Sequence, residues 1–96
     1  MNSRSEKARR IAVVVSERIA EVTTRGVGTW DRVWDYVAEP SDRFLEALHR
    51  WGLSGFPEDL QDVEREAETL VAAWREADHK YQEFLHTEVP DVAVHG

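Results

Sequence analysis

Cysteine is absent from the 96 residues, and with it go disulfides, thiolate metal sites and cysteine nucleophiles. Lysine is scarce, since ten of the twelve basic side chains are arginine, a skew typical of GC-rich genomes that suggests a bacterial or phage source. Positive charge is also in short supply. The formal net charge of -7 speaks against direct contact with nucleic acid, which needs a dominant basic face. Long apolar runs are missing: Ile11 to Val15 is too short for a signal-peptide core or a membrane span and is flanked by charge. A cytoplasmic protein without membrane contact is expected. With only five Gly and three Pro, little interrupts long helices. Gly26-Val27-Gly28 lacks the third glycine and the Lys-Ser or Lys-Thr pair of phosphate-binding loops, so no cofactor is expected.

What is present suits one helical domain spanning 1–96, with 42% apolar residues and four Trp to form one modest core. Ser3 and Glu6 have the spacing of a capping box, and Ala8, Ala12, Val15, Ile19 and Val22 recur every three or four residues, widened by Ile11 and Val14. A helix over about 5–25 follows, ended by Gly26. Val13, Val14 and Val15 would also suit a strand, but the cap and the longer period favour helix.

Thr29 is placed to cap a short helix over about 30–38 that carries Trp30, Val33, Trp34 and Val37 on one face. Pro40 disfavours helical geometry at Glu39, and Ser41 is placed to cap a third helix over about 41–51 that presents Phe44, Leu45, Leu48 and Trp51 and stops at Gly52. Pro57 then opens a long helix over about 57–87. There Leu60, Val63, Ala67, Leu70, Trp74, Ala77, Tyr81 and Phe84 keep an unbroken heptad of coiled-coil type. A tail over 88–96 is expected to fray. The predicted fold is an all-α antiparallel bundle of three to four helices with a long C-terminal heptad-patterned helix.

At 1.5 Å per residue that last helix is roughly 45 Å long, against about 30 Å for the first, so it is expected to overhang its own bundle. Burying Tyr81, Phe84 and Leu85 would then require a second chain, which makes Leu70, Trp74, Tyr81 and Phe84 the predicted interface of a homodimer or higher homo-oligomer. Tyr36 lies off the Trp30 and Trp34 face and is a further contact candidate. Charge is divided: residues 1–25 carry six basic and three acidic side chains, residues 54–96 three and eleven. That division predicts a first helix lying beside the last with their charged rims paired, or an acidic face at Asp59, Asp62, Glu64 and Glu66 for a basic protein partner.

Three histidines follow a glutamate by three residues, as Glu-x-x-His metal-binding bundles require: Glu46 and His49, Glu76 and His79, Glu83 and His86. The heptad places Glu76, His79, Glu83 and His86 on the solvent side, so no metal site is predicted there. Arg43 and His49 form an Arg-x5-His pair that resembles the short motif of HEPN ribonucleases, but a six-residue step puts the two on different faces of a helix, and Phe44 stands where that family usually has a polar residue. No catalytic residue is predicted. The function expected is therefore non-catalytic: a protein–protein interaction module that self-associates through its C-terminal helix. The alternative is a small acidic inhibitor, such as an immunity protein, antitoxin or phage anti-defence protein, directed at a basic nuclease-type surface; a metal-binding helical protein comes third.

Overall fold

Five apolar steps on the first helix and eight on the last must be covered by something, and the computed structural model, which describes residues 3–88, shows what covers them. Three α-helices and no strand occur among the described residues: α1 over Ser3–Val22, α2 over Trp34–Ser54 and α3 over Pro57–Glu88. Two short 3-10 turns, Val27–Thr29 and Asp31–Val33, join α1 to α2. No helix among the described residues is long and apolar enough to cross a membrane. Of the tail expected at 88–96, Glu88 closes α3 and the rest lies outside the described residues.

The predicted break at Pro40 is not found: α2 runs through it as one helix of 21 residues. Pro40 has no amide to donate to the carbonyl of Tyr36, a defect that costs about 3 kcal/mol inside a helix. Packing overrides it. Val33, Val37, Pro40, Phe44, Ala47 and Trp51 follow one another at steps of four and three, and all but the half-buried proline are buried. The proline therefore sits on the stripe that faces α3, and the helical register is held by the core on both sides of it. The stop predicted at Gly52 falls at Gly55 instead. Gly55 adopts φ 70°, where a side chain would be strained, and its amide donates to the carbonyl of Trp51 at 2.8 Å. Trp30 likewise is not helical; it adopts an extended conformation between the two 3-10 turns.

Contacts along the helices give their directions. At the α2–α3 turn the Ser54 hydroxyl reaches Asp59, and further along Arg50 lies 3.8 Å from Asp62, so α2 and α3 run antiparallel. Arg4 lies against Gly55, Arg18 meets Glu68 and Thr24 meets Asp78, so α1 lies parallel to α3. The main core joins Val15, Phe44, Ala47, Trp51, Val63, Ala67, Leu70 and Val71, with Ala8, Ile11, Ile19 and Val22 covering it from α1. A second cluster of Val27, Val33, Val37 and Ala77 continues it past the end of α1, and Trp74 packs against both. No polar or charged residue is buried among the described residues.

The first helix ends at Val22, short of the predicted residue 25, because its last groups find other partners. Thr23 Oγ1 donates to the carbonyl of Ile19 at 2.7 Å, and the Thr24 amide leaves the helix to donate to Asp78 Oδ1 at 2.6 Å. Gln82 adds a hydrogen bond from its amide nitrogen to the Thr24 hydroxyl. Thr29, predicted as a helix cap, instead donates its hydroxyl to the carbonyl of Gly26 at 2.7 Å and closes the first 3-10 turn.

Candidate interaction surface

The heptad seam of α3 points into the chain itself. Leu70 is buried in the main core, and Trp74 is half-buried, with Trp34 edge-on at 6.4 Å. The overhang predicted for the end of α3 is closed by the linker. Trp30 lies 5.7 Å from Tyr81, 5.7 Å from Phe84 and 6.0 Å from Tyr36 between ring centroids, so one indole gathers three rings. Separations of this size are the favourable range for aromatic pairs. Tyr36 and Tyr81 are half-buried by this packing, while Phe84 keeps 37% of its surface exposed. Gly26 admits the Tyr81 ring, whose hydroxyl would collide with any Cβ at that position. Trp30 is the residue that the periodicity misplaced: read as one of a helical face with Trp34, it is the cover over the far end of α3.

The charged rims expected to pair between the first and last helices meet at Arg18 and Glu68. Arg18 forks onto the Glu68 carboxylate with hydrogen bonds of 2.7 and 3.0 Å. The hydrogen bond and then the charge of each partner hold Glu68 below its ordinary carboxylate value and raise Arg18 above its own. The four residues predicted as an acidic partner face divide. Asp59 accepts the Ser54 hydroxyl and Asp62 lies between Arg50 and Arg65, whereas Glu64 is exposed and Glu66 half-buried.

On the outer side of α3, His79 Nε2 lies 3.2 Å from Glu83, one turn away, and Glu76 and His86 are exposed. No group of three or more potential metal ligands comes together among the described residues. Arg43 pairs with Glu39 and not with His49, which is exposed on α2.

Besides Phe56 in the α2–α3 turn and Phe84, the large apolar side chains left uncovered belong to α1 and α2. Displaced by one residue from the stripe that faces α3, α2 carries a second one: Trp34, Ala38, Ser41, Leu45, Leu48 and Gly52. Trp34 is 58% and Leu45 57% exposed, and Leu53 nearby reaches 72%. Across a groove from this stripe stand Ser5 and Ala8 of α1, which line it together with Leu45, Leu48 and Leu53. A separate depression near the end of α1 is lined by Ile19, Ala20 and Trp74. Val13 and Val14, two members of the ambiguous valine triplet, point outward, and only Val15 enters the core. Val14 therefore does not widen the inward stripe as expected, because three consecutive side chains spread over 200° of a helix and cannot all face inward.

No family model matches the chain, and neither a curated protein nor a solved structure is significantly similar to it.

Proposed function

We propose that this chain is a non-catalytic protein–protein interaction module that self-associates. The observation that carries the proposal is the apolar surface left on α1 and α2 after α3 has been covered: Val13, Val14, Trp34, Leu45 and Leu53 are all about half exposed or more. Trp34 and Leu45 share one stripe of α2, and exposed apolar side chains on one helix face are the kind of surface that an interface covers. Self-association through the α3 seam itself would need Leu70 and Trp74 released from their own core, so the available surface lies on the opposite side of the bundle. The test is the absolute mass of the untagged chain by light scattering across a concentration series at low and high salt. A dimer or larger species that persists at high salt is expected. A monomer throughout would overturn the proposal.

A second reading is favoured by the charge of α3, whose ten acidic side chains outnumber its three basic ones. As an acidic inhibitor of a basic nuclease-type partner, the chain would use Glu64 and Glu66, because Asp59 and Asp62 are engaged within it. This reading expects binding to a cationic probe protein that weakens steeply with salt and with Glu64→Gln and Glu66→Gln. Binding indifferent to both would remove it.

A further inference from the structure

Val13 stands 52% exposed on a helix whose inward stripe is complete without it. One turn before it lies Arg9 and one turn after it Glu17, so the three form a single ridge at steps of four. Neither Arg9 nor Glu17 makes a hydrogen bond or ion pair among the described residues, whereas the adjacent Arg18 is tied to Glu68. Beside the ridge runs a row of Ala12, Ser16 and Ala20, and all six side chains line one shallow trough. Side chains this small let a neighbouring helix approach closely.

A ridge with a cation at one end, an apolar centre and an anion at the other is its own complement when reversed. We infer that α1 pairs antiparallel with α1 of a second copy about a two-fold axis beside Val13. This rests on the self-association proposed above and gives it a contact. Around that axis Arg9 of one protomer meets Glu17 of the partner subunit, and the same contact is made a second time by symmetry. The reversal symmetry selects a second copy as the occupant: a foreign helix has no reason to carry the same charges at the same spacing in the opposite order.

The absence of cysteine makes a clean test available, because a single introduced thiol reacts only with its own copy. Residues beside a two-fold axis meet their counterparts, so Val13→Cys should form a disulfide-linked dimer under mild oxidation. Glu76→Cys, on the outer side of α3, should remain largely monomeric under the same conditions. Arg9→Glu and Glu17→Arg should each weaken the dimer roughly tenfold by placing like charges together, and the double swap should return to within about threefold of the parent. Circular dichroism reports whether each variant keeps its helices. Cross-linking of V13C no faster than of E76C, or a double swap no tighter than the single ones, would overturn the pairing. If the parent chain is a monomer at every concentration, self-association and the pairing fall together. If the parent is a dimer that V13C and the charge swaps leave unmoved, self-association stands and only the α1 contact falls.

Discussion

The two flanks of α3 are covered in different ways. On one side α2 lies along it with Phe44, Ala47 and Trp51 buried among Val63, Ala67 and Leu70, and the same contact continues through Val33, Val37 and Ala77. On the other side α1 commits only Val15 to full burial, with Ala8, Ile11, Ile19 and Val22 half-covered, and depends on polar ties at its edge: Arg18 to Glu68, and Thr24 to Asp78. The α2–α3 pair is held by buried area and α1 by a thin stripe and its margins. Coverage that contributes little to stability leaves more of the helix free to meet something else.

The difference can be broken at several points, beginning with the largest effect. Trp51→Ala opens a cavity between α2 and α3 and should cost about 3–5 kcal/mol in urea unfolding. Pro40→Ala restores an amide facing the Tyr36 carbonyl and should raise stability by about 2–3 kcal/mol in the same assay; a loss would show that the ring's packing on the stripe outweighs the missing hydrogen bond. Val37→Ala and Val15→Ala remove the same atoms from α2 and from α1. The first, fully buried in the α2–α3 contact, should cost about 2 kcal/mol and the second, on the thin stripe of α1, about 1 kcal/mol. Equal costs would mean that α1 is held as firmly as α2. The smallest effect is the Arg18–Glu68 pair, both exposed. Because Glu68 is held below its ordinary value of 4.5, what the pair contributes is present above that value and fades as the pH falls through the lower folded one. Thermal melts of the parent and Glu68→Gln should therefore differ slightly at neutral pH and low salt, and converge in strong acid or high salt.

Much of this architecture was readable beforehand for a physical reason: α3 and α1 bury single stripes, and a stripe on a helix prints its period directly into the chain. The long α3 is of this kind, and the division of charge between the two ends of the chain added the pairing of α1 with it. What misled was local chemistry taken without its context. Pro40 reads as a break by propensity, yet the steps from Val33 to Trp51 carry through it unchanged, and that continuity was the better signal. Trp30 has no period to follow, because a 3-10 linker places it by distance in space from Tyr81 and Phe84, some fifty residues away. The outward face of α1 was hidden for the opposite reason. Its valines fit the inward stripe well enough in composition, and only the angles separate Val15 from Val13.

The parallel placement of α1 and α3 also sets an order of events. The antiparallel α2 and α3 are neighbours along the chain and join through the short turn at Gly55, so their contact closes few residues. Helix α1 must wait for a surface made last. At about 5–20 residues per second, a ribosome needs several seconds to pass from Val22 to the end of α3. Through that interval the stripe of Ala8, Ile11, Val15, Ile19 and Val22 has nothing of its own chain to rest on, and the least anchored helix of the finished fold is also the longest exposed during its making.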